Sequence, residues 1–312
     1  MTRTVPILAG AAAILALAAA PTHATFRGVN GPIIYNSPAG KHLQLFAANP
    51  DGTGGRQLTH FGNGDALHAS WSPDGKQIVF ERDLAKRAGI YTMNADGSGL
   101  RSLTPRGFQG MPTYSPDGRR IAFDRSLPHE DAIWTMKTDG TGLRQVTHNK
   151  PAGKNECRCD GSPSYSPDGK SIAFVRTISE AKVALFTVRT SGGGLKQLTP
   201  WSRGVAAKVD WSPDGSLIVV SSPNFNPGPE GVSSNVYTIH PDGTGLTQLT
   251  RDTGGKVHNG AGSFSPDGRK IVYINNSTGA FQLYTMNLDG SGVTRITNAT
   301  DAHWANWGPL VG

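Results

Sequence analysis

The sequence lacks the short motifs by which several large classes of enzyme are recognised. No Gly-x-Ser-x-Gly nucleophile elbow, no phosphate-binding loop and no His-Glu-x-x-His zinc motif occurs in the 312 residues. Hydrolases of the α/β type, P-loop enzymes and zinc proteases are therefore not predicted. The remaining classes are binding proteins and enzymes without such a signature.

Cysteine and charge are also scarce. The two cysteines, Cys157 and Cys159, are separated by one residue, and charged residues make up 17% of the chain. A disulfide across one residue would close a very small, strained ring, and a metal site normally needs more than one such pair. We expect either a free dithiol or a strained disulfide, and we assign it no role.

The net charge is positive, +7 at pH 7. The basic residues are scattered among turns and do not line one helix, which is not the pattern of a nucleic-acid-binding protein. We therefore predict no nucleic-acid partner. Attraction to anionic surfaces, such as cell-envelope polymers, is the expectation that fits this charge.

The apolar run of residues 7–20 is shorter than the roughly 20 residues that a membrane-spanning helix needs. Arg3 precedes the run, and Thr22-His23-Ala24 follows it, as in a secretory signal peptide with its cleavage site. We expect residues 1–24 to be removed after Ala24, leaving one domain of residues 25–312 without a membrane span. Such a protein is periplasmic or secreted.

The chain is rich in one repeated turn. Ser-Pro-Asp-Gly occurs five times, each time directly after an aromatic residue, and a truncated copy stands at Trp307-Gly308-Pro309. The copies begin at Ser72, Ser115, Ser166, Ser212 and Ser265. An interval of 43 to 53 residues with a fixed turn signature predicts a repeat architecture, and propeller blades before other repeats.

Each repeat contains the signals for four short strands. Ser-Pro-Asp-Gly is a tight turn, because proline sets φ, aspartate bonds the nearby backbone and glycine adopts the left-handed conformation. An apolar run such as Ile78-Val79-Phe80 follows it, then a second turn of the form Asp-Gly-Thr/Ser-Gly, as at residues 96–99, and a strand ending in Leu-Thr. The fourth repeat has Thr190-Ser191-Gly192-Gly193-Gly194 in place of the second turn, but its strands persist.

Six copies of this pattern predict an all-β, six-bladed β-propeller of four-stranded blades. The last copy stops at Trp307-Gly308-Pro309, before its second strand, and Ile33-Ile34-Tyr35 near the N-terminus matches the strand that is missing. We expect the N-terminal strand to complete the C-terminal blade and close the ring, which removes free sheet edges.

The repeats resemble the TolB-like β-propeller repeat family, which includes the C-terminal propeller of a periplasmic protein. The resemblance covers about residues 33–309 and rests on the two kinds of turn recurring in phase. It implies the propeller fold. It implies no single function, because this repeat serves many roles.

A first candidate site is the mouth of the central channel. Counting back seven residues from the repeat serine, or its equivalent, gives Asp65, His258 and Asp301 on neighbouring blades, with His68 and His303 close but out of register. One imidazole and two carboxylates are ligands for a divalent cation, and they also suit a hydroxylated or amine-bearing ligand. The alternative is a solvated mouth without ligand. No other cofactor is expected.

A second candidate site is the face that carries the blade crossings. Both tight turns of each repeat lie on one face, so all variation in loop length falls on the other, where binding residues concentrate. The candidates there are the aromatic residues Phe61, Phe108, Trp201 and Phe225 and the basic residues Arg158 and Arg203. They predict a platform for a peptide or an anionic glycan. The alternative is that these aromatics cover blade edges and the charges are solvated.

Together these features predict a monomeric, non-catalytic scaffold of the cell envelope that binds a protein or a glycan. The alternative is a metal-dependent polysaccharide lyase, or a related carbohydrate-active enzyme that uses the central channel. Oligogalacturonate lyases are propellers with channel-facing histidines and a metal, although they have seven blades and six are counted here.

Overall fold

The computed structural model describes residues 28–104, 107–127, 130–149, 159–179, 182–205, 208–223, 232–298 and 301–310. Within these ranges the chain forms 24 β-strands and a single turn of 3-10 helix at Trp201–Arg203. The predicted all-β class is confirmed. The expected signal peptide, residues 1–24, lies outside the described residues.

The strands are short and evenly distributed along the chain. They are β1 (Asn30–Ala39), β2 (His42–Ala48), β3 (Arg56–Gln57), β4 (Asp65–Trp71), β5 (Gln77–Asp83), β6 (Ala88–Asn94), β7 (Arg101–Ser102), β8 (Phe108–Tyr114), β9 (Arg120–Leu127), β10 (Glu130–Lys137), β11 (Arg144–Gln145), β12 (Cys159–Tyr165), β13 (Ser171–Ser179), β14 (Lys182–Arg189), β15 (Lys196–Gln197), β16 (Asp210–Trp211), β17 (Ile218–Ser222), β18 (Asn235–Ile239), β19 (Thr247–Gln248), β20 (Asn259–Phe264), β21 (Lys270–Asn275), β22 (Gln282–Asn287), β23 (Thr294–Arg295) and β24 (His303–Pro309).

Antiparallel pairing divides these strands into groups of four. The groups, in the order of their hydrogen-bonded strands, are β24-β1-β2-β3, β4-β5-β6-β7, β8-β9-β10-β11, β12-β13-β14-β15, β16-β17-β18-β19 and β20-β21-β22-β23. Short parallel pairings of β6 with β8 and of β10 with β12 join three groups into one twelve-stranded sheet. Each group corresponds to one sequence repeat.

The first described strand pairs with the last. Ile33 of β1 lies opposite Trp307 of β24, and the Trp307 indole Nε1 donates to the Gly31 carbonyl at 3.0 Å. Gly308 stands where the other repeats have serine, and a Cβ there would lie 2.6 Å from the Trp71 ring. Glycine at this position therefore lets the tryptophan of the next group pack against the backbone.

The Ser-Pro-Asp-Gly turns form as the sequence predicts. In the first, the Ser72 hydroxyl donates to Asp74 Oδ1 at 2.6 Å and accepts from the Gln77 amide at 2.8 Å, and Gly75 has a φ of 68°. The same bonds recur in the other copies. All of these contacts span five residues or fewer, so each turn is specified by its own tetrapeptide.

The Leu-Thr strand ends also have a common geometry. The Thr59 hydroxyl accepts a hydrogen bond from the Leu45 amide at 2.9 Å, which extends the ladder by one side-chain bond. The equivalent threonines are Thr104, Thr147, Thr199, Thr250 and Thr297. A short outer strand is therefore anchored although only two of its residues pair as strand.

The repeat aromatics form the core. All six are buried: Trp71, Tyr114, Tyr165, Trp211, Phe264 and Trp307. Trp71 belongs to one cluster with Ile34 of the first group, Phe80 of its own group and Phe123 of the third. Burial of apolar surface between groups, worth about 25 cal/mol per Å², is what holds neighbouring groups together.

Candidate functional site

Strands from five of the groups line one common cavity. Its walls are formed by β4, β8, β12 and β24 and by the segment that leads into β16. The lining includes His68, Met111, Ser162, Lys208 and Trp304, and the cavity has a volume of about 40 Å³. We call this space the axial cavity.

Four of the cavity residues have an unusual backbone. His68, Met111, Ser162 and Trp304 have φ between 49° and 55°, although none is glycine. In β4, β8 and β12 the pairing register shifts at this position. A bulge of this kind re-aims a side chain, and a left-handed non-glycine residue costs on the order of 1–3 kcal/mol. Such strain is found most often at functional sites.

The bulge positions share a sequence register that the channel-mouth prediction did not use. They lie four residues before the repeat serine or its equivalent, where the six repeats have His68, Met111, Ser162, Lys208, Ala261 and Trp304. A count of seven residues back from the repeat serine misses this register and reaches His68 only as a neighbour out of register. The available signal was the variety of side chains at this position, next to small residues that vary little.

A carboxylate positions the His68 ring. Glu81 Oε2 lies 2.7 Å from His68 Nδ1 and accepts a hydrogen bond from the Met111 amide at 3.2 Å. The Trp304 ring meets the imidazole edge-on, with 4.2 Å between ring centroids. Because an ionised carboxylate only accepts, Nδ1 carries a proton and Nε2 is the nitrogen left for other contacts.

A second carboxyl group lies close behind this pair. Asp124 is adjacent to Glu81, since a Cβ added to Gly110 would lie 2.5 Å from Glu81 Oε2 and 3.5 Å from Asp124 Oδ1. Burial, together with the smaller effect of the charges of Glu81 and Asp131, raises the pKa of Asp124 to about 7. Gly110 is therefore needed for the two carboxyls to approach.

Asp210, in the cavity wall, makes hydrogen bonds to two other groups of strands. Its Oδ2 accepts from the Phe264 amide at 3.0 Å, and its Oδ1 accepts from the Ser164 hydroxyl at 3.2 Å. Burial raises the pKa of Asp210 to about 6, although the positive charge of Lys208 opposes this. Asn306 accepts from the Trp71 amide in the same way.

The repeats match a known domain family over most of the chain. The TolB beta propeller domain family matches residues 104–230 and 162–309, which together are more than half of the chain. The chain belongs to the TolB beta propeller family. The resemblance expected from the repeats is thereby confirmed.

Similar proteins support the propeller fold without assigning an activity. The chain is 29% identical over 150 residues to uncharacterized protein Atu1656 of Agrobacterium fabrum, covering 47% of this chain and 46% of that one. It is 30% identical over 154 residues to dipeptidyl-peptidase 5 of Porphyromonas endodontalis, covering 47% and 21%. The chain thus spans less than half the length of these curated relatives. The crystal structure of TolB from Acinetobacter baumannii superposes with a TM-score of 0.71 at 22% identity, covering 90% of this chain and 67% of that one.

The propeller places Asp65, Asp301 and His258 in separate local contacts. Asp65 Oδ1 lies 3.2 Å from His42 Nδ1 and accepts from the Leu43 amide. Asp301 pairs with His303 at 3.2 Å, and the Ser234 amide donates to His258 Nδ1 at 3.4 Å. Among the described residues, no three or more His, Cys, Asp or Glu side chains are grouped so that they could hold a metal ion.

The predicted loop residues are placed individually. Phe61 packs on the core, with the Arg82 guanidinium 4.0 Å above its ring, whereas Phe108 is 49% exposed. Trp201 packs on Phe186 with 5.4 Å between ring centroids, and Arg203 lies 5.5 Å from the Tyr237 ring. Arg158 and Phe225 lie outside the described residues.

Two further expectations from the sequence concern the cysteines and the membrane. Cys159 is disulfide-bonded, whereas Cys157 is outside the described residues. Within the part of the chain that the structure describes, no helix has the length and apolar character that crossing a membrane requires.

Proposed function

We propose that the TolB-like propeller of this chain has six blades and that the pairing of β1 with β24 closes the ring. The contacts between the last and first groups support this, because a Cβ on Gly52 would lie 2.3 Å from the Ile296 carbonyl oxygen. The same glycine-on-carbonyl contact is made by Gly97 on Leu58 and by Gly290 on Leu249, between other successive groups. The last and first groups therefore pack against each other through the same kind of contact as other successive groups.

In this proposal the protein is an exported, monomeric scaffold of the cell envelope. It binds an extended segment of a partner protein at the axial cavity. The observation that carries this proposal is the set of left-handed residues, whose side chains line one cavity at a cost in backbone strain. Met111 and Trp304 add apolar surface, and serine and threonine hydroxyls add polar groups, as in a site for a peptide chain.

The experiment is site-specific photo-crosslinking. A benzophenone amino acid replaces Met111 in one protein and Leu143 in a matched control, since Leu143 is 49% exposed and is not among the cavity residues. After irradiation with an envelope protein extract, we expect the Met111 protein alone to give a crosslink, and one that maps to a single segment of one partner.

The variant Trp304→Ala is expected to lose this crosslink, and Leu143→Ala to retain it. Equal crosslinking from both benzophenone positions, or an unchanged crosslink in Trp304→Ala, would contradict binding at the axial cavity. A crosslinked product that contains sugar and no peptide would identify the partner as a glycan and contradict a protein partner.

A further inference from the structure

Lys208 lies in the cavity wall and forms no close ion pair with any residue that the structure describes. The ion pairs of the described residues are His42–Asp65, His68–Glu81, Lys170–Asp168, Arg176–Asp160 and His303–Asp301. None involves Lys208, and its ammonium makes no hydrogen bond in the described part of the chain. Lys208 is half-buried, and partial removal of an ammonium from water without an ion-pair partner is unfavourable. Burial accordingly lowers the pKa of Lys208, and the charge of Asp210 offsets this only in part.

Asp210 is the nearby carboxyl group, and hydrogen bonds within the fold fix its position. The Phe264 amide and the Ser164 hydroxyl each donate to one of its oxygens. These bonds tie β16 to β20 and to β12, so Asp210 is held as part of the wall. Its charge attracts Lys208 over a distance without forming an ion pair.

Two hydroxyl groups line the same cavity and are available as donors. Ser70 and Thr113 are both part of the lining, at the position two residues before the repeat serine. Neither hydroxyl makes a hydrogen bond to any residue that the structure describes. At the equivalent position, Ser263 accepts from the Trp307 amide at 2.7 Å. The free hydroxyls are thus a feature of particular blades.

We propose that the axial cavity binds a carboxylate of its ligand, with Lys208 as the counter-ion and the hydroxyls of Ser70 and Thr113 as hydrogen-bond donors. This inference deepens the proposed function and rests on it. A carboxylate accepts several hydrogen bonds at once and forms its stronger ones with a cation, so it matches one ammonium and two hydroxyls.

The carboxyl groups around the cavity limit an anionic ligand to the single negative charge that Lys208 can balance. The other charged groups are Glu81, which faces His68, Asp124 behind it, and Asp210. A doubly charged phosphate monoester would be repelled by these carboxylates after Lys208 had balanced only one of its charges. In a protein segment, the carboxylate is either the C-terminal group or the side chain of aspartate or glutamate.

Three capped tripeptides separate these sources. They are acetyl-triglycine with a free C-terminal carboxylate, acetyl-Gly-Glu-Gly amide, and acetyl-Gly-Gln-Gly amide as the neutral control. The readout is the acylation rate of Lys208 in the full chain across a pH series, measured by mass spectrometry. Lys196 is the internal reference, because it is exposed and its ammonium donates to the Asp242 carbonyl at 2.9 Å.

We expect a bound carboxylate to raise the pKa of Lys208, so that acylation at a fixed pH slows by about tenfold for each unit of the increase. Lys196 should not change. The peptide that protects Lys208 identifies the source of the carboxylate. The double variant Ser70→Ala, Thr113→Val should reduce this protection several-fold.

Equal protection by the neutral peptide would overturn the inference that the cavity binds a carboxylate. It would not contradict the binding of a peptide at the cavity. Absence of protection by all three peptides would also overturn the inference. The crosslink from position 111 then decides separately on the proposed function, since it does not depend on Lys208.

Discussion

Glu81 shows how one side chain can maintain a strained site. Its carboxylate contacts His68 and the amide of Met111, both of which have left-handed backbone. Bonds from one rigid acceptor stabilise both bulges at once, which offsets part of their strain. The space for this carboxylate exists only because Gly110 has no side chain.

Gly110→Ala is therefore expected to destabilise the fold by about 1–3 kcal/mol, because the new methyl group displaces the Glu81 carboxylate from His68. The matched control is Gly161→Ala, at the same register of β12, where an added Cβ meets no atom within 4 Å. Chemical denaturation of both variants tests this. Equal losses in the two proteins would show that Glu81 does not support the site.

Asp124 predicts a specific pH dependence. Its pKa is raised from 3.8 to about 7, so the folded state binds a proton more tightly than the unfolded state, and stability falls as pH rises across that window. Asp124→Asn removes this titration. Relative to the wild type, the free energy of unfolding of the variant should increase over that range, by up to about 4 kcal/mol at the upper end. Chemical denaturation of the two proteins across this pH range tests this. A difference in free energy of unfolding that stays constant with pH would contradict a buried, titrating Asp124.

At the scale of the element, the Asp-Gly-Thr/Ser-Gly turns are held by the aspartate. Asp139 Oδ1 accepts from both the hydroxyl and the amide of Thr141, at 2.7 and 2.8 Å. These bonds lower the pKa of Asp139, the hydroxyl bond most. In the fourth repeat Ser191 stands at this position, and its hydroxyl makes one long bond of 3.5 Å.

Asp139→Ala should thus lower the denaturation midpoint at neutral pH. Because the folded pKa is depressed, the stabilisation is present above about pH 4 and disappears as pH falls through the folded pKa. The difference between variant and wild type should therefore shrink in acid. Ser191→Ala, the control in the equivalent turn, should have a small effect that does not vary with pH.

These elements could be predicted from the sequence because their bonds are local. Ser72 and Asp74 are two residues apart, and the turn they make needs no information from the rest of the chain. The bulge at His68 could not be predicted in the same way. In a regular strand, alternate side chains point to opposite faces, so the sequence predicts which face each one occupies. A left-handed residue interrupts this alternation, and at His68 no glycine in the sequence indicates where. The contact of Gly110 with Glu81 depends on two neighbouring groups, so it too required the structure.

At the scale of the whole molecule, Gly31 is the position at which β1 approaches β24. An added Cβ would lie 2.3 Å from the Pro309 carbonyl oxygen and 2.6 Å from the Leu310 nitrogen. Backbone atoms cannot rotate away, so the two strands must separate. The pairing of these strands followed from a sequence pattern, whereas the close approach that enforces glycine did not.

Gly31→Ala is expected to cost about 2–3 kcal/mol. It should also reduce the hydrogen-exchange protection of the amides in β1 and β24 together. Gly55→Ala is the control, since a Cβ at Gly55 meets no atom within 4 Å. Protection that falls in β24 alone, or in neither strand, would contradict the proposal that this pairing closes a ring.

The pairing of the first and last strands also sets an order of events during synthesis. A ribosome makes β1 early and β24 about 270 residues later, so the sheet that contains both strands is incomplete until the end of the chain has emerged. Until then the β1 edge carries unpaired amides and carbonyls. A chain that acquires its final packing only after its last strand is made stays partly unfolded until its synthesis is complete.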